Sequence, residues 1–257
     1  MPQGQSDLVA DRDGPVAVLT LNRPEVRNAL NAALVGELLG RLREANEDAS
    51  VRAVVLSAAP PAFCAGADLH ELVEGEPHAA RRRVELTVQL HTAIPALRKP
   101  VIAAVSGAAL AGGCGLAMSC DVVIASERAS FGYPEVRRGL VAAVVMASLQ
   151  RSVGRRVAMD LLLSGRRIDA EEALRIGMVT ELVSGGSELA TALQRAHEFA
   201  QHPPSAVAMT KELFYRVSDL PYPVALRQAG GVSLLMRRST EARSGAAEFF
   251  GEGKPHV

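Results

Sequence analysis

The chain has no tryptophan, and aromatic residues make up only 4% of its 257 residues. A nucleic-acid binder that stacks bases on aromatic side chains is therefore not expected. Neither sign of charge is in excess, since 28 Lys+Arg balance 28 Asp+Glu. That balance speaks against electrostatic attachment to nucleic acid or to an anionic membrane surface. Cysteine is scarce: Cys64, Cys114 and Cys120 make an odd number with no CxxC spacing. They are expected as buried thiols in a reducing compartment rather than as a disulfide frame. The six histidines lie far apart with no HExxH, so no metal site is expected. No apolar run nears the ~18 residues of a membrane span. The polar stretch Met1–Gly14 lacks the apolar centre of a signal peptide. A cytoplasmic protein is the expectation.

Hydrophobic residues are plentiful, at 48%, enough to build one large core or two small ones. The first two hundred residues alternate short apolar runs with helical patterns, which points to an α/β architecture. Val16–Leu21, Val51–Ser57, Val101–Val105, Val122–Ala125 and Val179–Val183 read as strands. Helices are predicted over Ala32–Glu47, with Asn28 and Asn31 as candidate caps, and over Ala79–Leu97, Val141–Val153, Arg155–Ser164, Ala170–Ile176 and Glu188–Gln201. Beyond residue 200 the pattern is almost purely helical. The expected organisation is thus a core over 1–200 and a helical subdomain over 201–257.

The densest chemical signal runs from Lys99 to Glu135. A buried strand is followed by a glycine-rich turn, Ser106–Gly113, a helix from about Cys114 to Ser119, and another buried strand. An earlier turn, Cys64–Asp68, is equally rich in small residues. The backbones of both turns are open to a ligand. N–H groups at Ala67 and Gly112 can converge on one carbonyl oxygen, aided by the positive end of the helix. Main-chain donors so arranged stabilise a developing oxyanion, and the enolate of a thioester requires that help. Glu135, in S-F-G-Y-P-E-V, sits among apolar residues that would raise its pKa toward that of an acid/base. Read locally, Asp68 and Glu135 fit helix caps equally well. The G-G-C-G run fails the dinucleotide register because Met118 stands where glycine or alanine is needed. No P-loop or G-x-S-x-G elbow is present.

Taken together, Leu21–Leu30, Ala62–Leu69, Lys99–Asp121, Ser130–Leu140, Leu161–Val179 and Arg243–Phe250 resemble the enoyl-CoA hydratase/isomerase (crotonase) superfamily, over nearly the whole chain. The resemblance implies a spiral of ββα units with a helical C-terminal region that packs into trimers, often paired as hexamers. It implies an acyl-CoA thioester substrate of lipid metabolism and no cofactor, CoA being part of the substrate. It places the oxyanion donors at Ala67 and Gly112 and the acid/base at Glu135. Arg27, Cys64, Ala65, Asp68, Leu69 and Lys254 fall where the family contacts CoA.

Hydratases of the family usually carry glutamates at the positions of both Gly115 and Glu135, so this chain keeps one carboxylate and lacks the other. Some branched-chain glutaconyl-type hydratases share the glycine. Dienoyl-CoA isomerases place acids at the positions of Gly115 and Ala143, and neither is acidic here. The resemblance therefore implies hydration of a 2-enoyl-CoA with Glu135 as acid/base. The alternatives are a 3,2-enoyl-CoA isomerase using Glu135 as its single proton shuttle, a thioester hydrolase or C–C lyase, and a protein that binds acyl-CoA without turning it over.

Overall fold

A computed structural model describes residues 6–74 and 77–251. Ten strands and eleven α-helices are found among them. β1 (Leu8–Asp13) and β2 (Val16–Leu21) form a hairpin, followed by α1 (Ala32–Glu47). Three strand pairs come next: β3 (Ala53–Ala58) with β4 (Ala62–Cys64), β5 (Val101–Val105) with β6 (Ala108–Leu110), and β7 (Val122–Ser126) with β8 (Ser130–Gly132). Helices α2 (Leu69–Glu74) and α3 (Pro77–Ala96) follow the first pair, and α4 (Gly112–Ser119) follows the second. After a 3-10 turn at Pro134–Arg138 come α5 (Met146–Val153), α6 (Arg155–Ser164), β9 (Arg167–Asp169), α7 (Ala170–Arg175), β10 (Glu181–Val183) and α8 (Glu188–Ala200). From Pro204 the described chain is helical: α9 (Pro204–Val217), α10 (Tyr222–Met236) and α11 (Thr240–Gly251).

Each pair contributes its first strand to one sheet and its second to another. The large sheet runs β1-β2-β3-β5-β7-β10 and the small one β4-β6-β8-β9. Their inner pairings are parallel. Strands buried on both faces need uninterrupted apolar runs, and every residue of β3 and β5 is buried. Helix α1 covers the large sheet with Leu34, Val35, Leu38, Leu42 and Ala45. Asn31 caps it, its side-chain oxygen accepting from Leu34 N at 2.7 Å.

Several local expectations change. Asn28 is not a cap: it is fully buried, and its amide donates to Ala59 O and Ala62 O, both at 2.7 Å, fixing the entry to β4. The turn expected at Ser106–Gly113 contains β6, and α4 begins at Gly112, two residues before the predicted start. Val141–Val145 precedes α5 instead of forming its first turns. The short strands β4, β6, β8 and β9 carry no readable alternation at three residues each; pairing with neighbours defines them.

Helix α9 is held to the core by a buried polar group. Lys211 Nζ donates to Asp121 Oδ2 at 2.6 Å and to Ile94 O and Lys99 O at 3.0 Å. Tyr215 OH donates to Asp121 Oδ1 at 2.9 Å. No described helix is long and apolar enough to cross a membrane.

Candidate active site

The loop after β4 and the start of α4 press together because three positions between them lack bulk. A Cβ on Gly66 would stand 2.8 Å from Ala111 Cβ and 3.2 Å from Gly112 N. Gly66 also has φ +100°, a conformation L side chains rarely adopt. A Cβ on Gly113 would lie 2.3 Å from Cys64 O. Ala111 takes the strained pair φ 51°, ψ −125° directly before α4. This contact sets Gly112 beside Ala67: the Cβ direction of Gly112 ends 3.7 Å from Ala67 N.

Ala67 is held from behind by a bridge to Leu30. Leu30 N donates to Gly66 O at 2.8 Å and Asp68 N to Leu30 O at 3.0 Å. The Ala67 N–H, between them in sequence, faces the other way. Among the described residues, neither the Ala67 nor the Gly112 N–H has an acceptor. Gly112 is the first residue of α4, so the positive helix end adds to the site. Two free N–H groups side by side can donate to one oxygen atom.

Ala67, Gly112 and Glu135 border one cavity of about 1040 Å³. Glu135 is the second residue of the 3-10 turn entered through Pro134. Its Oε2 is buried and has no hydrogen-bond partner among the described residues. Burial raises its pKa above the ordinary value, while its own backbone N–H and the Arg138 guanidinium pull it partly back. Leu140–Val145 supply an apolar wall, and Arg27, Arg83, Arg138 and Arg167 a basic rim.

Of the expected CoA contacts, Arg27, Ala65, Asp68 and Leu69 line this cavity. Cys64 needs correction: its side chain is fully buried in the core, facing Gly113, and burial pushes its thiol up to about 12. Of its two neighbours, Ala65 lines the cavity and Phe63 is buried in the core. The Asp68 carboxylate pairs with Arg23 at 3.0 Å and accepts from His70 N at 3.2 Å, so it braces the loop. Glu71 accepts from Ala32 N at the start of α1. Lys254 lies outside the described residues.

Gly115, the position of the lost carboxylate, is packed rather than open. A Cβ there would stand 2.3 Å from Val145 Cγ1 and 2.8 Å from His91 Cε1. The valine and the imidazole fill the volume where a side chain would begin. His91, on α3, carries no motif signal; only its place against Gly115 marks it.

The family model described as enoyl-CoA hydratase/isomerase matches residues 11–257. The chain is 36% identical over 251 residues to the 2,3-dehydroadipyl-CoA hydratase of Escherichia coli, covering 97% of this chain and 98% of that one. It is 38% identical over 223 residues to the short-chain-enoyl-CoA hydratase of Clostridium acetobutylicum, covering 86% and 85%. A crystal structure of an enoyl-CoA hydratase from Mycobacterium smegmatis matches with a TM-score of 0.93 at 34% identity, over 98% of this chain and 99% of that one. The α/β spiral of strand pairs expected from the resemblance is the fold observed.

Proposed function

The chain belongs to the enoyl-CoA hydratase/isomerase family, and from that premise we propose that it adds water across the 2,3 double bond of an enoyl-CoA thioester. The thioester oxygen sits between the Ala67 and Gly112 N–H groups. Glu135 takes a proton from water as its oxygen bonds Cβ, and the electron pair moves through Cα to the thioester oxygen. The enolate is held by the two donors and by the positive end of α4. Glu135 then gives its proton to Cα, which restores the carboxylate and completes a 3-hydroxyacyl thioester. The observation that carries this reading is the convergence of two acceptor-free N–H groups and one buried, unpartnered carboxylate on a single cavity. A raised pKa suits a group that must both take and return a proton.

CoA enters as part of the substrate, with Arg27, Ala65, Asp68 and Leu69 along its path, and the reaction draws on no other cofactor. The apolar residues Leu226, Leu234 and Leu235 on α10 are 53%, 58% and 70% exposed. They support assembly into trimers or pairs of trimers. The packed Gly115 favours one second reading, 3,2-enoyl-CoA isomerisation, in which Glu135 moves a proton between Cα and Cγ and no water is held.

Purified protein with crotonyl-CoA decides between them. Loss of the conjugated enoyl absorbance, abolished in Glu135→Gln, is the expected result. Conversion of 3-enoyl-CoA to the conjugated form without any hydration would overturn the leading reading in favour of the second.

A further inference from the structure

The small sheet sets its loops out in a line. Its order is β4-β6-β8-β9, and β4, β6 and β8 run parallel, so their C-terminal ends share one edge. From that edge leave the loop carrying Ala67, the start of α4 at Gly112 and the turn Pro134–Arg138 with Glu135. Strand β9 runs antiparallel to β8 with Arg167 paired to Gly132, so its first residue stands at the same edge. In the hydratase reading the thioester oxygen lies at Ala67 and Gly112 and the double bond at Glu135. CoA then leaves past the β4 loop. The acyl chain beyond Cβ runs the other way, toward β9, one strand spacing or ~4.8 Å further on.

The basic residues of the cavity divide along this line. Arg27 and Arg83 belong to its β4 end: Arg27 O accepts from Ala65 N at 3.0 Å, and Arg83 Nη1 donates to Asp68 O at 3.3 Å. Arg138 and Arg167 line the cavity at its β8–β9 end. Arg138 follows Glu135 by three residues in a 3-10 turn, a spacing that puts both side chains on one face. The stem of Arg167 lies against the end of β8, its Cγ 3.5 Å from the Cβ direction of Gly132. Among the described residues, neither Arg138 nor Arg167 has a carboxylate at ion-pair distance. The adjacent Arg166 takes the acids of that region, Asp160 at 2.9 Å and Glu172 at 2.7 Å. Arg138 also pulls down the pKa of Glu135 and so weakens the proposed base. Two unmatched cations lining one end of a cleft attract an anion to it.

We propose that Arg138 and Arg167 form a carboxylate subsite, and that the substrate is a 2-enoyl-CoA whose acyl chain ends in a carboxylate. Arginine grips a carboxylate through two parallel N–H donors. A few methylene groups, laid along the apolar wall that begins at Leu140, span the distance from Cβ to these guanidinium groups. A methyl-ended chain leaves both cations unmatched. The subsite moves no proton, so the hydration steps stand as written. This proposal rests on the hydratase reading for the direction of the acyl chain.

The test sets carboxylate-ended 2-hexenedioyl-CoA against methyl-ended 2-hexenoyl-CoA in the parent chain, Arg138→Gln and Arg167→Gln. Both arginines are exposed, so neither change opens the core. The quantity read is the ratio of kcat/KM for the two substrates, which cancels any effect on Glu135 or on CoA binding. The parent is expected to favour the carboxylate-ended substrate by roughly 10-fold or more. Each variant is expected to cut that ratio roughly 10-fold, mainly through KM, and Arg167→Lys to recover part of it, since it returns the charge without the fork. A parent ratio near one overturns the proposal. So does a ratio unmoved in both variants: activity on the two substrates falling together would place these arginines on the CoA phosphates. Dissociation constants for the saturated pair, hexanedioyl-CoA and hexanoyl-CoA, give the same ratio without turnover. If the parent hydrates neither enoyl substrate, the hydratase reading fails, and the saturated pair still decides the subsite: a dissociation-constant ratio near one overturns it.

Discussion

Gly115→Ala is expected to destabilise the protein although alanine is the better helix former. A Cβ at position 115 would stand 2.3 Å from Val145 Cγ1 and 2.8 Å from both Val145 Cβ and His91 Cε1. Carbon–carbon contact is most favourable at about 3.5–4.0 Å. Neither neighbour has room to yield. Val145 is itself in the core, and the His91 ring is tied to Ser119. Overpacking of this kind costs about 1–3 kcal/mol, and replacing a helical glycine by alanine returns about 1 kcal/mol. The net is a loss of up to about 2 kcal/mol, which lowers Tm by up to roughly 8 °C for a chain of this size. Val145→Ala removes the closest atom but leaves the Cβ contact, so rescue is partial. The double variant is expected to be more stable than the sum of the single losses by about 1–2 kcal/mol, within the range seen for touching residues. Urea denaturation of all four proteins measures the cycle directly. A rise in stability on Gly115→Ala, or losses that add to within about 0.5 kcal/mol, would refute the claim that this glycine is occupied by its neighbours.

Three further outcomes follow from the site and its supports. With Glu135 as the proposed base, hydration should rise as pH climbs through its pKa; because burial raises that pKa above the ordinary 4.5, the acid limb of the kcat/KM profile, which reports the free enzyme, lies above that value. Arg138→Gln removes a cation that pulls the pKa down and should move the limb further up; an unmoved limb counts against the assignment. Lys211→Met strands the Asp121 carboxylate and should cost about 3–5 kcal/mol in thermal unfolding, much of it recovered when Asp121→Asn is added; a loss no smaller in the pair would show that the ion pair is not the source. Light scattering should give the mass of three or six chains, and Leu226→Glu together with Leu235→Glu should give one; an unchanged mass would place the interface elsewhere.

Long elements were legible from the sequence because one physical signal dominates each. Helix α1 shows apolar positions at helical spacing behind an asparagine cap, and β5 shows an unbroken apolar run. The small-sheet strands were not legible, since three residues hold too little periodicity, and their backbone partners lie tens of residues away. The meeting of the two loops was readable for a different reason. Glycine and alanine clustered after buried strands mark places where backbones must meet, and Gly66, Gly112 and Gly113 do meet Cys64, Ala67 and Ala111. Cys64 was misjudged because the same motif mixes residues facing the cavity with residues facing the core, and alternation is too short there to tell them apart. The packing of His91 against Gly115 was not legible, because the two meet only where α3 packs on α4 and no local pattern joins them.

The bridge between Leu30 and Ala67 has a consequence for how this protein loses activity. The donor loop is tied to the strip Arg23–Ala32 at several points: Ala65 N to Arg27 O at 3.0 Å, Leu30 to Gly66 and Asp68, the Arg23–Asp68 ion pair, and Ala32 N to Glu71. None of these contacts belongs to the interior pairings of the large sheet. A partial opening of the strip would release Ala67 while the rest of the molecule kept its structure. Catalytic competence and bulk foldedness are then separable properties. Under mild denaturant, turnover would fade before circular dichroism registers any change, and the N-terminal strip acts as the fuse.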